Sequence, residues 1–367
     1  MCSVDGILIL SSRGARRTAC VIVKHPVLPG WSLLSRRQWE ISPFHLLKDF
    51  LLSISISEFF RERELNSRLS IDSVDMLWGL LLEEQVAQEE KVTRIQKLTH
   101  SSLFFRGQSN EKYGLSASLH RAMIADLGPV LTENGMYEVE KRIREAAEGL
   151  GLGKGVTELE VQKILQHHHA PTRLIDVSRT PMEALFFATE GRDVEDGRLF
   201  LIHVDEGTAR NQEVSLGEGS DLPWAKYAMG TTRAKSAWTQ SVKVVKGRPL
   251  DPRMLAQNGV FLVGGMQRKY GNLNVHHDGR YLNAEELQAI STLTIAFRKI
   301  GGIAKGRQWP AYGWTIRIEK GWKPELRRRL DDTYKIRHET MYPAFESLQW
   351  RAEAAVRESV PPLSVST

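Results

Sequence analysis

A chain of 367 residues, 41% hydrophobic and 26% charged, can bury one large core or two modest ones and excludes a disordered or fibrous protein. Its two cysteines, Cys2 and Cys20, form no CxxC pair, which excludes a disulfide framework and a cysteine-built zinc site. The net charge of +6 favours anionic partners.

Residues 1–40 predict short β-type segments at Ile7–Leu10 and Ala19–Val23 around an Arg-rich turn. Residues 43–98 predict helix: Ser42-Pro43 suits a helix start, and Phe44, Leu47, Phe50 and Leu51, then Val74, Leu77, Leu80 and Leu81, recur at helical spacing. The most apolar stretch, Phe50–Phe60, is broken by serines and Glu58 and falls short of the ~20 residues that a membrane span needs. With no secretion signal in the first residues, a cytoplasmic location and no membrane partner are expected.

From Leu103 onward strands and helices mix without the alternation of a doubly wound fold. Ser102–Arg106 reads as a strand ending at Gly107. Met136, Val139, Ile143, Ala147 and Leu150 mark one face of a helix. Thr157-x-x-Glu160 and Thr180-Pro181-Met182-Glu183 are capping boxes. Further strands are expected at Arg198–Val204, Val260–Val263 and Trp314–Ile318, with a closing helix from Pro324. The fold class is α+β: a mixed, mostly antiparallel sheet with flanking helices and a helical N-terminal region. Three divisions follow, an N-terminal region 1–95 of unknown role, a main domain 96–355 and a disordered tail 356–367.

Two segments concentrate chemistry. The first is Phe104-Phe105-Arg106-Gly107-Gln108, followed by Leu115-Ser116-Ala117-Ser118-Leu119-His120-Arg121. An arginine at a strand end beside a glycine is a permanent cation with room for a phosphate or carboxylate; a structural ion pair is the plainer alternative. The second runs from Gln166 through His167, His168, His169, Ala170, Pro171, Thr172, Arg173, Asp176 and Ser178 to Pro181. It is a polar loop between two helices, and such loops are disproportionately functional. Consecutive histidines point about 100° apart on a helix and cannot converge on one ion, so no metal site is expected. His167 is expected to fix the loop by hydrogen bonding, and His168 to face the core. Arg173 and Asp176 could pair with each other or with the loop backbone, and Thr180 is expected to cap its helix.

These segments resemble the FRG domain, a family named for its Phe-Arg-Gly signature. Its pattern continues with Leu-x-Pro-Ser-Leu-x-Arg and Gln-His-x-Gly-x-Pro-Thr-Arg-Leu-Leu-Asp-Trp-Thr, and then a Pro-x-x-Ala-Leu-x-Phe-Ala helix. Arg253 to Phe261 resembles the family's Arg-x-x-x-Gln-x-Gly-x-Phe strand, and Tyr342-Pro343 with Phe345 and Leu348 its last helix. The chain departs from that pattern at Ala117 for Pro, His169 for Gly, Val177 for an aromatic and Ser178 for Thr, and the changes at His169 and Val177 alter the loop most.

The order of elements is distantly similar to NAD-dependent ADP-ribosyltransferases of the Arg-Ser-Glu kind. That resemblance implies Arg106, Ser178 and Gln257 as catalytic residues. Arg106 would grip the NAD pyrophosphate, Ser178 orient the nicotinamide ribose and Gln257 bond a ribose hydroxyl. It further implies Gly107, Gln108, Gln166, His167, Thr172, Arg173 and Asp176 as binding residues, and NAD as a substrate. The resemblance implies a nucleic-acid or protein acceptor; glutamine cannot act as the general base that enzymes modifying protein side chains usually use, which leaves a nucleic-acid acceptor, a hydrolase-like site and an inactive site open. An activity of this kind would suit a bacterial toxin or phage-defence effector.

Residues 222–250 carry Lys226, Arg233, Lys235, Lys243, Lys246 and Arg248 without an acid, interleaved with Trp224, Tyr227 and Trp238. Residues 287–318 carry Arg298, Lys299, Lys305, Arg307 and Arg317, again without an acid. Such segments fit a nucleic-acid partner, the phosphates of NAD or simply solvent. A non-catalytic RNA- or DNA-binding module is therefore the alternative function. A metal-independent nuclease using His167 with Asp176 is a third.

Overall fold

A short helix seated on a glycine closes one face of a central sheet. The computed structural model describes residues 56–83, 101–127, 131–152, 155–217, 221–245, 252–268, 275–297 and 309–343. The strands expected in residues 1–40, the helix start at Ser42-Pro43, the tail 356–367 and basic residues Lys246, Arg248, Arg298, Lys299, Lys305 and Arg307 lie outside the described residues. The described residues all fall within one unit, Pro43–Thr367.

The strands are β1 Ser101–Gln108, β2 Ile175–Ser178, β3 Gly197–Asp205, β4 Lys243–Val245, β5 Gly259–Val263, β6 His276–His277, β7 Arg280–Tyr281, β8 Ile295–Phe297 and β9 Ala311–Ile318. Seven form one sheet in the order β4-β5-β2-β1-β3-β9-β8, while β6 and β7 make a separate small ribbon. Every pair in the large sheet is antiparallel except β8 with β9. The helices are α1 (residues 56–61), α2 (74–83), α3 Ser118–Leu127, α4 Glu133–Gly149, α5 Glu158–His167, α6 Pro181–Thr189, α7 Ala209–Glu213, α8 Ala225–Ala228, α9 Thr232–Thr239, α10 Pro252–Ala256, α11 Ala284–Ile290, α12 Lys323–Tyr334 and α13 His338–Met341. The architecture is α+β, a mixed and mostly antiparallel sheet between helices.

Both faces of the sheet are covered, so its strands read as near-continuous apolar runs rather than alternating ones. Phe104, Val177, Phe200, Ile202 and Leu262 face a core completed by Phe59 and Phe60 of α1 and by Leu287 and Ile290 of α11. Phe105, Leu199, Leu201, Ile316 and Ile318 face the other core, closed by α6, α12 and by Leu77 and Leu81 of α2. Helices from before residue 95 therefore share both cores with the strands that follow.

α6 lies unusually close to the sheet. A Cβ built on Gly107 would stand 1.8 Å from the Ala184 carbonyl oxygen, and one on Gly197 would stand 2.2 Å from that of Ala188. The glycine of the Phe-Arg-Gly run is thus a packing requirement, because only a bare Cα admits the helix backbone.

Several local expectations need correction. The inward face of α4 holds Met136, Glu140 and Ala147, whereas Leu150, beyond the helix end, is 83% exposed. The Thr157–Glu160 capping box forms on both sides. The Thr180 box does not: its hydroxyl donates to the Glu183 carboxylate and caps no backbone N–H. Trp224 and Trp238 are fully buried and Tyr227 is nearly so, in a core with Leu174, Phe261 and Val263. Their burial removes the aromatic platforms on which a nucleic acid would stack. Arg317 is likewise occupied, lying within 4 Å of Glu64, Asp196 and Glu319.

Candidate functional site

β1 and β2 are paired at one position, Phe105 opposite Ser178. Beyond it the strands part. The Arg106 side chain enters the parting, where Nη1 donates to the Asp176 carbonyl oxygen at 2.6 Å and lies 3.7 Å from the Asp176 carboxylate. A guanidinium thus takes the place of a ladder hydrogen bond. Its Nε is buried without a partner. The side chain keeps 21% of its surface exposed and the Asp176 side chain keeps 53%, so the parting opens to solvent. Burial pulls the Arg106 guanidinium below its ordinary range, and Asp176 opposes the shift.

From Asp176 a chain of hydrogen bonds runs back through both motifs. The Gln166 amide nitrogen donates to Asp176 Oδ2 at 2.5 Å, while its amide oxygen accepts the Thr172 hydroxyl at 2.5 Å. The Thr172 hydroxyl in turn accepts the Leu174 N–H at 3.2 Å. Ser118 Oγ donates to the Thr172 carbonyl at 3.2 Å and stands 3.0 Å from the Thr172 N–H, and the Leu119 N–H donates to the same carbonyl. Each group in this chain can satisfy the next, so the amide orientation of Gln166 is fixed by its neighbours. The start of α3, the end of α5 and the head of β2 are held around Arg106 as one frame.

Arg173 stands apart from that opening. Buried to 2% exposure, it donates Nε and Nη2 to Glu140 at 2.7 and 2.8 Å and Nη1 to Glu133 at 2.9 Å. The indole N–H groups of Trp224 and Trp238 donate to the same two carboxylates at 3.0 and 3.1 Å, and the Met266 N–H donates to Glu133. Burial alone would lower Arg173, but Glu140 and Glu133 outweigh it and hold the cation above its ordinary range. Arg173 bonds Glu140 and Glu133 rather than Asp176 or the loop backbone, and its side chain is buried.

Other expected residues separate in the same way. Gly107 faces α6. Gln108 is buried and donates to the Gly114 carbonyl at 3.0 Å, holding its own loop inward. Ser178 is buried and stands opposite Phe105 in the pairing of β1 with β2. The Gln257 amide nitrogen donates to the Met341 carbonyl at 3.1 Å. Arg106, Gln166, Thr172 and Asp176 come together; Ser178 and Gln257 do not join their hydrogen-bond chain. His167 ends α5 half-buried, with its ring edge-on to His168 at 5.3 Å. His168 is exposed rather than facing the core, because α5 closes there and the chain turns outward. No cluster of three metal-ligating side chains is found among the described residues.

His169 has φ +61°, a left-handed conformation that glycine adopts without cost. The loop therefore keeps the shape glycine would give it, although the glycine itself is missing.

Residues 101–197 match the FRG domain.

Comparison with curated proteins and with solved structures gives no match. The FRG segment spans β1, α3 to α6, β2 and the first residue of β3, and it holds every member of the chain from Ser118 to Arg106. Ser118, which ties α3 to Thr172, lies within the quoted motif, and the sequence alone assigns it no role. Glu133 and Glu140 were missed as well. Their signal was available, since acids seven residues apart share a helix face with the apolar Met136 and Ala147. No helix among the described residues is long and apolar enough to cross a membrane.

Proposed function

We propose that this chain is an NAD-dependent ADP-ribosyltransferase-like enzyme whose ligand lies at the parting of β1 and β2. One observation carries the reading. The resemblance assigns its key residues to β1, to β2 and to the turn that leads into β5; these three strands are neighbours in the sheet, and the first two separate where Arg106 stands.

The chemistry follows from the groups at the opening. Arg106 Nη1 is engaged by the Asp176 carbonyl and faces its carboxylate at 3.7 Å, so the remaining Nη donors would be the ones to hold the NAD pyrophosphate. Asp176 supplies an ionisable carboxylate, which Gln257 cannot. It would face the positive charge developing on the ribose as the glycosidic bond to nicotinamide breaks, and it would accept the proton that the acceptor gives up. The products are ADP-ribosylated acceptor, nicotinamide and one proton. Gln166 and Thr172 act as positioning residues for that carboxylate. The acceptor is a nucleic acid or a protein, and the biological setting would be a toxin or phage-defence effector.

Labelled NAD tests the reading. Incubated with the full chain and with either oligonucleotides or lysate proteins, it should give labelled acceptor and free nicotinamide. Both should vanish in Arg106→Ala and Arg106→Lys and fall in Asp176→Asn. Intact NAD with both acceptor classes would remove the enzyme. Oligonucleotide binding that weakens steeply with salt in the same samples would favour the non-catalytic module.

A further inference from the structure

Two short helices, α7 and α9, bound a cleft of about 530 Å3. α9 turns Arg233, Ser236, Ala237 and Gln240 toward it, at the i, i+3, i+4 and i+7 spacing of one helical face. α7 turns Arg210 and Glu213 toward it, at i and i+3. Among the described residues that line the cleft, Ala237 is the only apolar one. Helix faces that pack on each other are ordinarily apolar, so these two are built to meet something polar.

The cleft is held open from behind. Asn211 of α7 is fully buried, and its amide nitrogen donates to the carbonyls of Asp205 and Pro310 at 2.8 and 3.0 Å. Its amide oxygen accepts the N–H of Val242, just past the end of α9, at 2.8 Å, so one side chain ties both walls. Trp238 of α9 is fully buried, and the carbonyl of its neighbour Thr239 accepts the Thr294 hydroxyl at 2.6 Å. Neither helix can move into the space without breaking buried hydrogen bonds.

The groups in the cleft have bonds to give. Arg233 Nε stands 3.8 Å from the Glu213 carboxylate, beyond hydrogen-bond length, and the Arg233 side chain is 91% exposed. Ser236 Oγ accepts from Gln240 Nε2 at 2.7 Å and keeps its own proton to donate. Two guanidiniums against one carboxylate leave an excess of positive charge, and a guanidinium fork suits a phosphate. A carboxylate and a hydroxyl beside that fork suit the hydroxyls of a sugar. With no aromatic ring in its lining, the cleft offers a nucleobase nothing to stack on. We propose that the cleft between α7 and α9 binds a phosphorylated sugar, with the phosphate on Arg210 and Arg233 and the sugar hydroxyls on Glu213 and Ser236. Its volume falls within the range of about 300–1,000 Å3 usual for small-molecule sites. It shares no residue with the opening at Arg106 and stands whether or not NAD is turned over there.

Titration calorimetry of the full chain with ribose 5-phosphate, ribose and inorganic phosphate, at one low salt concentration, tests it. Ribose 5-phosphate should bind about tenfold or more tightly than either fragment, since each fragment lacks one set of charge-assisted contacts. Arg210→Gln and Arg233→Gln should each weaken it by about tenfold, with thermal unfolding unchanged. Glu213→Gln should instead tighten the binding of inorganic phosphate and shrink the preference for the sugar, a gain that misfolding cannot produce. Failure of ribose 5-phosphate to bind, equal binding of inorganic phosphate, or an affinity that survives both arginine substitutions would overturn the proposal. A single-stranded oligoribonucleotide tells the two sources of this chemistry apart. If it displaces ribose 5-phosphate and loses its own affinity in the same two variants, the sugar phosphate belongs to a nucleic-acid backbone. If ribose 5-phosphate binds undisturbed beside it, the ligand is a free sugar phosphate. Either result leaves the site standing.

Discussion

Arg173 meets Glu140 side-on, through two parallel N–H···O bonds of 2.7 and 2.8 Å, and the whole assembly is closed to solvent. Removing one member of such a buried group leaves the other charges uncompensated. Arg173→Met is expected to lower stability by about 3–5 kcal/mol. Adding Glu140→Gln should recover part of that loss. Urea unfolding of the single and double variants measures it, and a loss below about 1 kcal/mol would refute the structural role.

Gln166 and Thr172 should act as a unit, because the amide of Gln166 joins the Thr172 hydroxyl to Asp176. Gln166→Leu and Thr172→Val are each expected to weaken ligand binding. A double-mutant cycle should give a coupling of about 0.5–3 kcal/mol. Strict additivity would show that the two bonds serve separate purposes.

Gly107→Ala is expected to destabilise the protein by about 3 kcal/mol. The added methyl would meet the backbone of α6 at Ala184, which has no flexible end to swing aside. Thermal unfolding is the readout, and an unchanged midpoint would mean that α6 seats differently.

His169→Gly should stabilise the protein by about 0.5–1 kcal/mol, by relieving a left-handed backbone at an exposed position. Chemical denaturation checks the sign. A lower stability for the variant would mean that the imidazole makes a contribution of its own.

Burial pushes the His120 imidazole down, with the hydrogen bond to Gln288 at 3.1 Å opposing it. The unfolded chain, near the ordinary value of about 6.5, therefore takes up the proton first as the pH falls. The stability contributed by neutral His120 is fully present above about pH 6.5 and is lost progressively below it. Stability measured between about pH 7 and about pH 5 should fall less steeply in His120→Gln than in the parent chain. Parallel profiles would dispose of this assignment.

Much of the fold was legible from local pattern. The strands around Arg106, Arg198, Val260 and Trp314 follow from short apolar runs, and the Thr157 cap from a box whose two partners are three residues apart. Sheet order was not legible, because the pairing of β1 with β3 or of β2 with β5 joins residues far apart in the chain. The motif residues were found, but composition could not say which of them face outward. Arg106 and Arg173 look alike as arginines beside small or apolar neighbours. One meets a carbonyl at an opening and the other meets two buried acids, supplied by a helix some 35 residues earlier in the chain. The tryptophans of 222–250 misled for a similar reason: their basic neighbours suggested a surface, while their own indoles close over Arg173.

The family match stops at Gly197, the first residue of β3, yet β1 is paired with β3 along its full length, from Ser101–Asp205 to Gln108–Arg198. Beyond β3 lies β9, paired from Gly197–Ile318 to Val204–Ala311. The recognisable stretch is consequently a signature and not a building block. Excised on its own, it would expose the backbone edge of β1 to its neighbours in solution and invite them to aggregate along it. An expression fragment meant to display the opening beside Arg106 should extend at least through the last residue of β9.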